Sequence, residues 1–237
     1  MSTLPQALQD KIAHTVEVLR RAAGEDAPVA FANSLGAEDM VLTDMIYRHV
    51  PEVEDFTLDT GRLPAETYDL LEDVRVRYGR APRIYFPRAE TLEEYISSHG
   101  PNAFYNSVEL RKSCCAIRKI EPLRRALRGR KAWVTGLRRE QSVTRHELAV
   151  REWDEGNGLF KINPLADWSE ADVWVYIRAH EVPYNKLHDR HYPSIGCAPC
   201  TRAVTQGEDV RAGRWWWELP ESKECGLHIS PAAGAGA

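Results

Sequence analysis

The chain is predicted to be α/β: a mostly parallel, twisted sheet with helices on both faces, in a single domain. Three observations carry this reading. Short apolar runs of strand length recur, each followed by a longer stretch whose apolar residues fall at helical spacing. Parallel neighbours need crossover connections, so strands alternating with helices select a parallel sheet covered on both faces. The 237 residues, 43% of them hydrophobic, suffice for one ample core, and neither an internal repeat nor an interdomain linker divides them.

The elements follow in order. Leu8, Ile12, Val16 and Leu19 predict an amphipathic helix over about residues 5–23, broken by residues 24–27. Val29-Ala30-Phe31-Ala32 reads as a short buried strand, followed by a helix over about 40–49. Phe56-Thr57-Leu58 and Arg83-Ile84-Tyr85-Phe86 are the second and third strands, followed by helices over about 64–78 and 92–98. Residues 112–127 are helical in pattern. Ala132-Trp133-Val134-Thr135 and Phe160-Lys161-Ile162-Asn163 supply a fourth and a fifth strand. The last helix, about 169–180, opens on a capping box, Ser169-x-x-Asp172. Residues 229–237 are Ala/Gly-rich and expected to be disordered, leaving 1–228 as the folded unit.

Charge is nearly balanced. The 31 Lys and Arg against 35 Asp and Glu give a net −4, which argues against a nucleic-acid binder and against an anionic-membrane binder. No apolar run approaches the roughly 18 residues of a transmembrane helix. The first nine residues carry neither a basic region nor an apolar stretch, so a reducing, cytoplasmic address is expected.

The five cysteines fall into three places: Cys114-Cys115, Cys197-x-x-Cys200, and Cys225 alone in Glu224-Cys225-Gly226-Leu227-His228. Two pairs point to a metal centre, and the fifth sulfur to a nucleophile. Zinc takes four ligands at about 2.3 Å per sulfur, usually from Cys-x2–4-Cys knuckles. Adjacent side chains diverge by about 100° on a helix and face opposite ways on a strand, so Cys114-Cys115 reaches one small ion awkwardly. A cube of four irons and four sulfides offers separated corners, which favours one 4Fe–4S cluster over zinc. Buried free thiols are the plain alternative. A disulfide framework is disfavoured by the odd count and the chain length.

In parallel α/β sheets, ligands bind beyond the carboxyl ends of the strands, and three loops lie there. Ser34-Leu35-Gly36-Ala37-Glu38-Asp39 follows the first strand and opens a helix, where backbone N–H groups are placed to cradle phosphate. It lacks the Walker A pattern, and a plain strand-to-helix turn is the alternative. Asp59-Thr60-Gly61-Arg62 follows the second strand and is equally well explained as a turn. Thr135-Gly136-Leu137-Arg138-Arg139 follows the fourth and puts cations beside the same crevice. Together the three favour a nucleotide site.

These motifs, with Cys114-Cys115-x3-Lys119, Gln141 two residues after Arg139, and the Cys-Gly-Leu-His end, resemble the iron–sulfur branch of the phosphoadenylyl-sulfate reductase family, the assimilatory adenylyl-sulfate reductases. The resemblance covers roughly residues 30–228, and no motif position departs from it. It implies a sheet like that of the ATP pyrophosphatases (adenine nucleotide alpha hydrolase-like), a C-terminal catalytic segment over about 205–228 that moves, and one 4Fe–4S cluster on Cys114, Cys115, Cys197 and Cys200. The implied reaction reduces adenylyl sulfate to sulfite and AMP with electrons from thioredoxin, here a separate protein because no thioredoxin-like domain follows residue 228. Cys225 attacks the sulfur, leaving a Cys225 S-sulfonate that a thioredoxin thiolate then resolves.

A thiolate approaching an anionic substrate needs cations around it. The family pattern places Lys119, Arg138, Arg211 and Arg214 on the phosphosulfate, with Arg145 flanking the strand-four loop. Ser34, Gly36, Asp59, Thr60, Gly61, Arg62 and Gly136 belong to the nucleotide loops, and His228 either assists proton handling or caps the segment. For any one cation, a solvated surface charge is the ordinary alternative. Trp215-Trp216-Trp217 is better read as packing than as a cover for the nucleotide. A phosphoadenylyl-sulfate or dual-substrate reductase is the rival within the family, although that branch typically lacks the cluster cysteines. A cluster-bearing redox sensor has no need of Cys225, and the acidic balance counts against a tRNA-thiolating relative. Homo-oligomerisation is left open.

Overall fold

The computed structural model describes residues 4–141, 148–219 and 223. Helix α1 (Gln6–Glu25) leads into β1 (Val29–Ala32), α2 (Ala37–His49), β2 (Glu54–Leu58), α3 (Ala65–Tyr78), β3 (Arg83–Tyr85) and α4 (Ala89–His99). Then come α5 (Val108–Cys115), a π-helical turn (Ala116–Ile120), α6 (Glu121–Leu127), β4 (Ala132–Val134), β5 (Arg151–Asp154), β6 (Leu159–Ile162) and α7 (Glu170–Ala179). The strands form one six-stranded sheet in the order β3-β2-β1-β4-β6-β5. Every neighbouring pair is parallel except β5–β6, which is antiparallel at the edge.

Strand alternation divides the core between the two faces. Val29 and Phe31 of β1, with Ala132 and Val134 of β4, face the layer built by α1, α2, α3 and α7. Ala30 and Trp133, between them in sequence, face the other way, onto Leu123, Ala126 and Leu127 of α6. A third buried group joins Tyr95, Phe104 and Trp215 to Cys114, Cys115, Cys197 and Cys200.

The mostly parallel sheet with helices on both faces agrees with the sequence reading. Three details differ. The antiparallel β5 was not foreseen. The predicted helix over 112–127 is two α-helices around a π-turn, in which the Glu121 N–H reaches back five residues to Ala116 O. The fourth helix runs further in both directions, from Ala89 to His99. The expected tail, 229–237, lies outside the described residues.

Strand order fixes where a ligand can enter. The chain runs outward from β1 through β2 to β3, then returns to place β4 on the opposite side of β1. The reversal between β1 and β4 splays the loops after those strands and opens a crevice.

Candidate active site

A cavity of about 660 Å³ fills that crevice. Its walls come from the loops after β1, β2 and β4, from the π-turn, and from residues 193–197 and 209–215.

The loop after β1 is organised by its own side chains. Asn33 Oδ1 accepts from Leu35 N at 2.9 Å and so supports the left-handed backbone of Leu35, φ 61°, whose side chain is buried in the main core. Ser34 donates to Asp39 Oδ2 twice, from its amide at 2.7 Å and its hydroxyl at 2.5 Å. Gly36 N donates to Ser34 Oγ at 3.4 Å, so three amides of the expected phosphate cradle are already used. The donors left by geometry are the first-turn amides of α2, whose first intrahelical bond is Met40 N to Gly36 O. Burial pushes Asp39 up to about 7, although the Ser34 hydrogen bonds pull the other way. Gly136 fits against this carboxylate because a Cβ there would collide with Asp39 Oδ1.

Arg138 also faces carboxylates. Its Nε donates to Glu38 Oε1 at 2.9 Å and its Nη1 to Glu140 Oε2 at 2.8 Å, while Gln141 Nε2 donates to Glu38 Oε1 at 3.0 Å.

In the loop after β2, Asp59 Oδ1 accepts from Gly61 N at 2.7 Å and from Tyr68 OH at 3.0 Å, and Gly61 takes φ 70°. Thr60 alone of the four lines the cavity. Its Oγ1 lies 3.2 Å from Cys197 Sγ, and its carbonyl accepts from Arg118 Nη1 at 2.5 Å. Arg62 turns away, donating to Asn102 Oδ1 at 2.9 Å and stacking over Phe104 at 5.2 Å.

Both cysteine pairs converge in the third buried group, each residue no more than 9% exposed. Burial pushes the Cys114 thiol up, opposed by the Arg118 guanidinium. Burial, with Cys197 beside it, pushes the Cys200 thiol up to about 12, opposed by the Lys119 ammonium. All four are free thiols. Among the described residues, no group of three or more His, Cys, Asp or Glu side chains is placed to hold a metal ion.

Lys119, Arg211 and Arg214 line the cavity together with Cys197 and Trp215. Arg214 Nη1 donates to Ile195 O at 3.3 Å, and Gly196 leaves room for the guanidinium, since a Cβ there would meet it. Arg211 Nη2 donates to Lys223 O at 3.4 Å.

Of the residues singled out from sequence, Ser34, Gly36, Thr60, Lys119, Gly136, Arg138, Arg211 and Arg214 are brought to one cavity, beside Cys197. Asp59 and Gly61 build its neighbouring turn, and Arg62 serves the 101–104 loop. Arg145, Cys225 and His228 lie outside the described residues. The sequence reading overlooked Glu38 and Gln141 as partners of Arg138, Arg118 as the link between the π-turn and Thr60, and His188, a lining residue whose buried Nε2 has no hydrogen-bond partner. Arg118, adjacent to Lys119, was within reach of that reading; nothing local marks His188.

Comparison with known proteins agrees with this geometry. Residues 28–203 match the phosphoadenosine phosphosulfate reductase domain. The chain is 60% identical over 221 residues to the adenosine 5'-phosphosulfate reductase of Allochromatium vinosum, covering 93% of this chain and 86% of that one. It is 53% identical to the protein of the same name from a serogroup A strain of Neisseria meningitidis, covering 94% and 91%. Among solved structures, a phosphoadenylyl-sulfate reductase from Candida auris superposes with a TM-score of 0.70 at 32% identity, covering 86% of this chain and 99% of that one. A Candida glabrata FMN adenylyltransferase, at 15% identity and a TM-score of 0.55, covers 98% of this chain and 78% of its own, and shares the fold alone.

Proposed function

This chain belongs to the phosphoadenosine phosphosulfate reductase family, and on that premise we propose that it reduces adenylyl sulfate to sulfite and AMP in sulfate assimilation. The observation that carries the proposal is one cavity lined both by nucleotide-type loops and by Lys119, Arg211 and Arg214 beside a buried cysteine group. A ligand with an uncharged nucleoside and an anionic phosphosulfate matches that polarity.

The Cys225 thiolate attacks the sulfur of the sulfuryl group, forming an S–S bond as the sulfur–oxygen bond to phosphate breaks and AMP leaves. Lys119, Arg211 and Arg214 stabilise the negative charge gathered between nucleophile and leaving group. A thiolate of a separate thioredoxin attacks Cys225 Sγ and expels sulfite, and the second thioredoxin thiol resolves the mixed disulfide, which balances the two electrons. The C-terminal segment, about 205–228, would serve both partners in turn, with His228, three residues beyond Cys225 in sequence, for proton handling. Arg145 would add a further cation.

Cys114, Cys115, Cys197 and Cys200 would hold one 4Fe–4S cluster. Their donor set is four thiols, the set such clusters take, and all four lie in one buried group beside Arg118 and Lys119. When bound, the cluster would fix the π-turn that carries Lys119 and shape the field over the substrate. Among the described residues no helix is long and apolar enough to cross a membrane, and a cytoplasmic address suits the thiol chemistry.

The deciding experiment is anaerobic purification with iron and sulfide analysis, followed by parallel assays of sulfite release from adenylyl sulfate and its 3′-phosphorylated analogue with thioredoxin. The expected product is brown and prefers adenylyl sulfate, and Cys225→Ser accumulates no labelled S-sulfonate in a single turnover. Undiminished labelling of Cys225→Ser overturns the mechanism; equal or better turnover of the 3′-phosphorylated analogue overturns the substrate assignment.

A further inference from the structure

Arg111 and Glu218 form an ion pair sealed from water. Arg111 Nε and Nη2 donate to the two Glu218 carboxylate oxygens at 2.8 and 2.7 Å, and the side chains are 1% and 2% exposed. Neither residue lines the cavity. A buried ion pair gives little net stability, because desolvation offsets its attraction, so its position calls for another account.

Each partner is tied through its own segment to one half of the cysteine group. Arg111 lies in α5, one helical turn before Cys115, and its guanidinium stacks over Trp215 at 4.8 Å. Arg111 belongs to the helix that ends on Cys115, and Trp215 is buried in the same group as all four cysteines. Glu218 ends an arm, residues 213–218, that is joined by backbone to the other cysteine pair. Trp215 N donates to Cys200 O at 3.2 Å, Arg202 N donates to Gly213 O at 3.0 Å, and Thr201 pairs with Arg214 in an antiparallel bridge. The same arm delivers Arg214 to the cavity.

We infer that Arg111 and Glu218 are positioning residues that clamp the 213–218 arm across both cysteine pairs, so that the spacing of the four thiols and the placement of Arg214 are set together. The forked carboxylate fixes the guanidinium plane, and the guanidinium then holds α5, which carries Cys114 and Cys115, against the Trp215 indole of the arm. The inference rests on the proposed roles of the four cysteines and of Arg214.

The test uses the full chain, purified anaerobically, as wild type, Glu218→Gln, Arg111→Lys and the apolar pair Arg111→Met with Glu218→Leu. Four quantities are measured: iron content, the rate of iron release to a chelator, KM and kcat for adenylyl sulfate, and the melting temperature. Loss of a partner that orients a metal ligand typically costs about 10- to 100-fold in affinity or activity. Glu218→Gln and Arg111→Lys should therefore release iron at least about tenfold faster and raise KM by about tenfold, with kcat changed less. The apolar pair should melt near wild type yet still release iron fast, because packing is restored while the forked link between α5 and the arm is not. Wild-type iron retention in both single variants, or in the apolar pair, overturns the clamp. If the wild-type chain holds no iron, the cofactor reading fails, and an unchanged KM in Glu218→Gln then overturns the clamp. If the wild-type chain is inactive on adenylyl sulfate, the substrate reading fails, and the iron-release rates decide.

Discussion

The two ends of the cavity treat charge in opposite ways. At the sheet end, Arg138 is bound to Glu38 and Glu140, and Asp39 is enclosed by the Ser34 amide and hydroxyl. At the cysteine end, Lys119, Arg211 and Arg214 gather beside thiols whose ionisation burial opposes. The first end pairs its arginine with carboxylates; the second sets its cations among buried thiols and backbone carbonyls. Under the proposed function, the phosphosulfate would lie at the second.

That contrast can be broken at the cationic end first. Lys119→Ala, with its iron content verified, should lower kcat/KM by about 10²–10³, the usual cost of removing a group aimed at developing charge. Unchanged turnover in that variant would return Lys119 to the status of a surface cation.

At the other end the signature is pH rather than rate. The Asp39 pKa in the folded chain, about 7, stands above its ordinary 3.8. Between those values the folded state keeps a proton that the unfolded chain has lost, so its stabilising contribution is complete below about pH 3.8 and fades as pH rises towards 7. The slope is at most about 1.4 kcal/mol per pH unit. Asp39→Asn should flatten the melting temperature between pH 5 and 7, and a variant that keeps the wild-type slope would place the titration elsewhere.

The smallest effect sharpens the comparison. Gly196→Ala should displace the Arg214 guanidinium it would collide with and raise KM by about tenfold, the equivalent of roughly 1.4 kcal/mol, with the melting temperature nearly unchanged. An unaltered KM would count against a contact between Arg214 and the substrate.

How much of this was legible in the sequence follows the range of the interactions. β1 and β4 are apolar runs, so strand and face could be read directly from Val29 to Ala32 and from Ala132 to Val134. β5 reads Arg151-Glu152-Trp153-Asp154, half-covered at the sheet edge, and such a strand has no apolar run to find. The π-turn is invisible to periodicity because one extra residue barely alters a 16-residue pattern. Cys114, Cys115, Cys197 and Cys200 were legible as a set through spacing alone. The choice of Thr60 over Arg62 as the inward residue was not, because a turn's spacing does not say which side chain faces the cleft. Arg111 and Glu218, 107 positions apart, leave no local trace at all.

The wide turn at Ala116–Ile120 has a consequence for mutational tolerance. Deleting one residue there would restore ordinary winding and gain a regular hydrogen-bond ladder. The flanking helices would keep their faces, because the wide turn already absorbs the extra residue, and Leu123 and Leu127 would stay on the sheet. What changes is the turn itself, which carries Lys119 to the cleft. A one-residue deletion there should therefore be tolerated by the fold and felt at Lys119, whereas the same deletion inside α6 would rotate the rest of that helix by about 100°.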